Sequence, residues 1–175
     1  MDNLNLLDKL ENARLKYKPE KIKLLLIAEA PPDSLNRFFY FENVKEKDFL
    51  FLAISEYFYP ALKEKFLISH RSEKIKAIIL SHLKKDGIFL IDLYELPLSV
   101  CYETENKAVE KALAKVDDLV NSKTKIITIK SNVYDALKSK LKKYNHVDVR
   151  IPFPSSGQQS NFKVKFDEAM VKASF

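Results

Sequence analysis

Three short stretches of the sequence carry side chains that could do chemistry on a bound ligand. Glu29 directly follows the apolar run 24–28, and Asp92 interrupts a second apolar run, 88–93. A carboxylate after a strand can act as a general base or polarise a water molecule, and one inside an apolar run must be paired or hydrogen-bonded. The third stretch, Pro154–Gly157, joins two hydroxyls to a glycine that can adopt a positive φ. Such a turn suits a phosphate group.

An arginine followed by four aromatic residues, 37–41, offers flat rings on which a nucleobase could stack. Stacking of a base on an aromatic side chain stabilises a complex by about 1–3 kcal/mol. Aromatic side chains are also large apolar groups, so core packing is the expected fate of most of the four. The carboxylates have structural alternatives too: Glu29 could be a solvated acid or a cap, and Asp92 could hydrogen-bond a neighbouring loop.

These residues have to be positioned by short apolar strands that alternate with helical segments. Strands are expected at 22–28, 88–93, 126–129 and 147–151. Helices are expected at 3–17, 48–59, 72–85, 106–120 and 132–143, with Ser131 as a cap, and a final one begins at Ser160 or Asn161. Each connection is long enough for a parallel crossover. The sequence therefore predicts a three-layer α/β/α sandwich around a four-stranded parallel sheet, in a single domain over residues 1–175.

In such a sheet, ligands bind beyond the carboxyl ends of the strands. The segments expected there are 29–37, 92–99, 130–132 and 152–160. We therefore expect the residues of any ligand-binding site to come from these four segments.

Composition excludes several classes of site. Two glycines, Gly87 and Gly157, are too few for a Walker A loop or a GxGxxG dinucleotide fingerprint. The single cysteine, Cys101, excludes a disulfide framework, a cysteine-based zinc site and a cluster held by several thiolates. No metal-ligand spacing is present, so neither a metal nor another cofactor is expected. No apolar run could span a bilayer and the first residues do not resemble a signal peptide, so we expect a cytoplasmic protein without membrane contact.

The chain has 30 basic and 24 acidic residues, a net charge of +6. A moderately basic domain favours a polyanionic partner such as nucleic acid. The alternative is a lysine-rich proteome, as in hyperthermophiles, which makes basic proteins without such a partner. A monomer is favoured, although the sequence leaves the oligomeric state open.

Taken in order from the first strand to the last helix, these segments resemble the uracil-DNA glycosylase superfamily. The segment 23–32 (KLLLIAEAPP) resembles the strand and water-activating loop that reads GEAPG in the thermostable branch. Residues 29–31 match, whereas Ala28 and Pro32 replace the two glycines. The resemblance implies a glycosylase-like fold, DNA as the partner, and Glu29 as the catalytic residue that orients the attacking water.

Three other segments extend the resemblance. The aromatic run lies where the family places a phenylalanine that stacks on the flipped base, and Asp92 lies where an asparagine usually reads the edge of uracil. The segment 151–157 resembles the HPSP-type motif, whose Pro-Ser contacts the DNA backbone. The implied base-binding residues are Phe38, Phe39, Asp92 and Phe153. The implied DNA-backbone residues are Pro154, Ser155, Ser156, Gly157 and Gln158.

The chain departs from the family pattern at several positions. Phe153 replaces the histidine that stabilises negative charge on the leaving base, Ser156 replaces the second proline, and the cluster cysteines of the thermostable branch are absent. Asp92 replaces an amide with a carboxylate that only accepts hydrogen bonds when ionised, which favours a base with an exocyclic amino group over uracil. Loss of a donor to the leaving base typically costs about 2.7–4 kcal/mol, so slow activity is expected unless Gln158 supplies it.

Three functions are consistent with these residues. The first is a DNA-binding base-excision enzyme, an N-glycosylase. The second is a catalytically inactive relative that binds nucleic acid in the same groove. The third is a small-molecule hydrolase or an interaction module on the same fold, in which the basic charge is incidental. The first two predict that Glu29, Asp92 and Ser155 line one cleft beside an aromatic face.

Overall fold

The computed structural model describes residues 3–175, which form an α/β structure with a parallel sheet flanked by helices. The strands are β1 (Leu24–Ala28), β2 (Ile88–Asp92), β3 (Lys125–Thr128) and β4 (Asn145–His146). The helices are α1 (Asn3–Lys16), α2 (Phe49–Phe58), α3 (Pro60–Ile68), α4 (Glu73–Asp86), α5 (Glu105–Leu119), α6 (Ser131–Leu137) and α7 (Gln159–Ala173). None of the helices in this part of the chain is both long and apolar enough to cross a membrane.

The four strands are all parallel and lie in the order β2-β1-β3-β4. The apolar runs of β1 and β2 are buried along their whole length, as strands covered on both faces should be. The chain moves outward from β1 to β2 and then returns past β1 to β3. The direction of winding therefore reverses between β1 and β3, which is where open α/β sheets bind ligands.

The fourth strand differs from the prediction of 147–151. Only Asn145–His146 pairs with β3, and beyond it a single bridge joins Ile151 to Ile129. Between them the Val149 N–H donates to the carbonyl of Val147 at 2.9 Å. This N–H is therefore hydrogen-bonded within its own segment and does not pair with β3. The apolar residues of the predicted strand, Val147, Val149 and Ile151, are nevertheless buried.

Two helical predictions are corrected by the structure. The sixth helix begins at Ser131 with Lys130 as its N-cap, so Ser131 does not cap it, and it ends at Leu137 rather than at 143. The lysine-rich stretch 138–143 follows as turns, since closely spaced like charges disfavour further helix. The sequence did not predict the helix α3. Pro60 follows the helix expected at 48–59 and occupies the first position of α3, where a proline lacks only a donor that would be unpaired anyway.

The aromatic run packs against the sheet, and Tyr40 lies along the free edge of β2. Its hydroxyl accepts a hydrogen bond from the Leu90 N–H at 2.8 Å and donates one to the Leu90 carbonyl at 3.0 Å. Phe38, Phe39 and Tyr40 are all buried. Core packing is thus the main role of these three rings.

Candidate functional site

A cavity of about 430 Å³ lies at the carboxyl ends of β1 and β2. Glu29 directly after β1, Asp92 at the end of β2 and Lys130 shortly after β3 all line it. The loops 28–33, 37–39 and 47–50 supply most of its other walls, together with Leu98 and Phe153. Glu29, Asp92, Phe38, Phe39 and Phe153, which sequence analysis had singled out, therefore share one cavity.

Glu29 is held by two partners at the mouth of this cavity. Its Oε2 accepts a hydrogen bond from the Lys130 ammonium, and its Oε1 accepts one from the side-chain amide of Asn132. Each carboxylate oxygen has a second lone pair, so Glu29 can still accept a hydrogen bond from a water molecule or a substrate hydroxyl.

Lys130 is a site residue that the sequence did not single out, although it lies in the segment 130–132 expected at a strand end. Its backbone has a φ of +83°, which is unusual for a residue with a side chain. Its N–H donates to the Ile151 carbonyl at 3.0 Å. Strained backbone of this kind costs about 1–3 kcal/mol and is found preferentially at functional sites. Here it accompanies a lysine that pairs with Glu29 and lines the cavity.

Asp92 is buried and paired with a buried arginine from α1. Its Oδ2 accepts a hydrogen bond from Arg14 Nη2 at 2.8 Å, and Arg14 Nη1 donates to Glu11 at 2.7 Å. Burial raises the pKa of the Asp92 carboxyl above its ordinary value, against the opposing effect of the Arg14 charge. Across residues 3–175 no group donates to Oδ1 of Asp92, so this oxygen can still accept a hydrogen bond.

The aromatic walls of the cavity are unequally exposed. Phe38 is 1% exposed and Phe39 is 5% exposed, and they contact Phe41 and Phe51 edge-on at 4.9 Å and 5.5 Å between ring centroids. Little ring surface is therefore left for a base to stack on either residue. Phe153 and Phe49, which are half-buried, present more of their rings.

The predicted backbone-binding segment lies outside the cavity lining. Pro154 is buried and Ser155 is half-buried, whereas residues 156–158 are exposed. Gly157 has a φ of +81°, and the turn is closed by the Gln158 N–H donating to the Ser155 carbonyl at 2.9 Å. The expectation that Ser155 lines the same cleft as Glu29 and Asp92 is therefore not met. Phe153 is the residue of this segment that reaches the cavity.

Gln158 is the residue that the sequence predicts as a hydrogen-bond donor to the leaving base. It does not line the cavity, and its side-chain oxygen accepts a hydrogen bond from Asn161 at 3.0 Å. The cationic side chains with N–H donors that line the cavity are Lys130, Arg37 and Lys47. Arg37 and Lys47 add positive charge to the walls; Arg37 lies 3.5 Å from Glu46, and Lys47 has no ion pair in the described part of the chain.

A second buried ion pair ties two walls of the cavity together. The Lys76 ammonium on α4 lies 3.3 Å from Asp48 Oδ2 and donates to the Phe38 carbonyl at 3.3 Å. Asp48 also caps α2 by accepting from the Phe51 N–H at 3.1 Å. Burial lowers the pKa of Lys76 to about 8. The pair thereby joins the aromatic loop to the start of α2.

Comparison of the chain with models of known protein families, with curated proteins and with solved structures finds no match in any of the three. Within residues 3–175, no group of three or more histidine, cysteine, aspartate or glutamate side chains is placed to hold a metal ion. The function has therefore to be inferred from the cavity itself.

Proposed function

We propose that the chain binds DNA with one nucleotide in this cavity and hydrolyses its N-glycosyl bond, as a divergent relative of the uracil-DNA glycosylases. One observation carries the proposal. Glu29, Asp92 and Phe153 are far apart in the sequence, yet they line one cavity at the carboxyl edge of the sheet. A volume of about 430 Å³ is within the range of ligand pockets.

The strand order supports the fold that this proposal needs. Parallel crossovers are almost always right-handed. Because the chain moves in one direction from β1 to β2 and in the other from β2 to β3 and β4, right-handed connections put α2–α4 on one face and α5–α6 on the other. We therefore infer the three-layer sandwich and, with the matching motifs, a glycosylase-like fold.

In the proposed reaction, Glu29 orients a water molecule toward the anomeric carbon of the sugar. The water oxygen bonds to that carbon as the bond to the base nitrogen breaks, and the electron pair of the broken bond leaves with the base. Glu29 takes a proton from the attacking water, and the base regains a proton from solvent. Lys130 faces the developing negative charge, which is the role that Phe153 cannot fill because it has no donor.

The cavity walls suggest which nucleotide fits. Oδ1 of Asp92 accepts a hydrogen bond, so an exocyclic amino group on the base is favoured over the carbonyl oxygen of uracil. Phe49 and Phe153 offer apolar ring surface to the base. Arg37 and Lys47 can contact the phosphates on either side.

Release of free base from oligonucleotides that each carry one damaged or mismatched base tests the proposal. The wild-type chain should release a base that bears an amino group, and Glu29→Gln should abolish the release while preserving the shape of the side chain. Glu20→Gln is the matched control, since Glu20 is exposed and does not line the cavity. Equal background from the wild type and Glu29→Gln on every lesion would show that the chain is not an N-glycosylase.

An inactive nucleic-acid-binding relative is the second candidate, and one observation favours it. Both oxygens of Glu29 are already engaged, by Lys130 and Asn132, which leaves less freedom to activate a water. This candidate predicts binding without base release, with an affinity that falls steeply as salt rises because phosphate contacts release counterions. Weak binding that is insensitive to salt would contradict both candidates.

A further inference from the structure

A second cavity, of about 700 Å³, lies between α2–α3 and α7. It adjoins the first cavity, because Lys47 and Phe49 line both. Apolar side chains form much of its surface, namely Leu52, Ala53, Leu67, Phe162 and Phe166. A volume of this size is typical of sites that enclose a small organic molecule.

Arg71 distinguishes this cavity from an ordinary apolar gap. The other three arginines, Arg14, Arg37 and Arg150, each lie within ion-pair distance of a carboxylate. Among residues 3–175, Arg71 has no such partner, and its buried Nη1 makes no hydrogen bond. Nη1 itself lies beneath the surface, so a bound anion would contact the part of the guanidinium that lines the cavity, which has no carboxylate within ion-pair distance among the described residues.

Two of the other three basic residues that line this cavity, Lys63 and Lys163, are neutralised within the protein. Lys63 lies 3.0 Å from Glu56, and Lys163 lies 3.1 Å from Asp167. Lys47 lies at the boundary with the first cavity. Arg71 is therefore the guanidinium that a ligand in this cavity would meet with its charge unpaired.

The backbone holds Arg71 in an unusual conformation. His70 and Arg71 have φ values of +52° and +63°, in the turn between α3 and α4. The Arg71 N–H donates to the Phe66 carbonyl at 2.9 Å, and its guanidinium lies 5.7 Å from the centre of the Phe66 ring. Two consecutive left-handed residues with side chains are unfavourable, and here they turn the chain so that Arg71 lines the cavity.

We propose that this cavity binds a small organic anion, with a carboxylate or phosphate group at Arg71 and an apolar body on the surface formed by α2 and α7. The planar guanidinium matches both head groups with two parallel hydrogen bonds. This proposal does not depend on the proposed reaction, because neither Glu29 nor Asp92 lines this cavity.

Calorimetric titration of the full chain with decanoate, decyl phosphate and decanol tests the proposal, with the two anions kept below their micelle concentrations and decanol below its solubility limit. At least one of the anions should bind about tenfold to a hundredfold more tightly than decanol, which is the ratio that a charged hydrogen bond supplies. Arg71→Gln should remove this preference and leave decanol binding unchanged. Lys163→Gln is the matched control: it removes a cation from the same cavity, but one that Asp167 already neutralises.

Three results would overturn the proposal: no binding of any probe, equal binding of decanol and the anions, or an anion preference that survives in Arg71→Gln. A single-stranded oligonucleotide that displaces decanoate and loses affinity in Arg71→Gln would also overturn it, by assigning the cavity to a nucleic-acid strand. If Arg71→Gln does not fold, Leu52→Trp fills the cavity and should abolish binding of all three probes. Arg71, Lys163 and Leu52 do not line the first cavity. The base-release assay therefore tests the proposed function independently of this titration.

Discussion

Replacement of Arg14 by methionine is expected to destabilise the protein strongly at neutral pH. Arg14 is 3% exposed and lies 2.8 Å from Asp92, whose side chain is 5% exposed. Methionine keeps most of the apolar bulk but leaves Asp92 buried without its cation. Removal of one partner from a buried ion pair costs about 3–5 kcal/mol of the free energy of unfolding. Glu11 adds little to this cost, because its side chain is 38% exposed and can be solvated.

The loss of stability in Arg14→Met should depend on pH, because Asp92 carries no buried charge once it has bound a proton. Burial already raises the pKa of Asp92 above its ordinary 3.8, and loss of the Arg14 charge raises it further. Between 3.8 and the raised value, the folded variant binds a proton that the unfolded chain does not. The free energy of unfolding of the variant therefore falls as pH rises, by up to about 1.4 kcal/mol per unit.

Urea unfolding followed by circular dichroism at pH 4.5 and pH 7 measures this effect. Arg14→Met should be closer to the wild type at pH 4.5. A double-mutant cycle with Asp92→Asn isolates the pair: in that background Arg14→Met should cost about 2 kcal/mol less than in the wild type. If the cost were the same at both pH values and in both backgrounds, the energetic importance assigned to the pair would be wrong.

Two further predictions follow from the backbone and from the other buried pair. Gly87→Ala should destabilise more than Gly157→Ala in thermal unfolding: both glycines have a φ of +81°, but a Cβ at Gly87 would lie 2.9 Å from a backbone carbonyl oxygen, whereas one at Gly157 meets nothing within 4 Å. The positive φ alone costs an alanine roughly 1–2 kcal/mol of stability. Equal losses of stability in the two variants would contradict the additional cost that the contact at Gly87 predicts. Burial lowers the pKa of Lys76 from 10.5 to about 8, so between these values the unfolded chain binds a proton that the folded protein lacks. The free energy of unfolding should therefore rise with pH over this window, by up to about 1.4 kcal/mol per unit. Urea unfolding of Lys76→Met should show no such rise. If the variant kept the same rise, a group other than Lys76 would be its cause.

The sequence predicted β1 and β2 well because both are fully buried strands, and such strands read as unbroken apolar runs. The positions of Glu29 and Asp92 at one edge of the sheet followed from that, since parallel strands end on the same side. The fourth strand was misplaced because alternating apolar residues indicate burial, and burial alone does not require pairing: Val149 bonds to Val147 instead of to β3.

The partners of the two carboxylates could not be predicted from the sequence. Arg14 and Asp92 are 78 residues apart, and Lys130 and Glu29 are 101 apart. A lysine-rich chain offers many candidates for such pairs, and no local pattern selects among them. The positive φ of Lys130 could not be predicted from the sequence either, because it depends on the path of the chain after β3 and not on a turn-forming residue.

The hydrogen bonds of Tyr40 also bear on how molecules of this protein can meet. An outer strand of a sheet usually exposes amide and carbonyl groups that can recruit a strand from another molecule. At the β2 border, one phenol occupies both groups of Leu90, and at the opposite border β4 is two residues long. Neither border offers a long template for strand addition, so copies of this chain that associate are expected to do so through helices and loops.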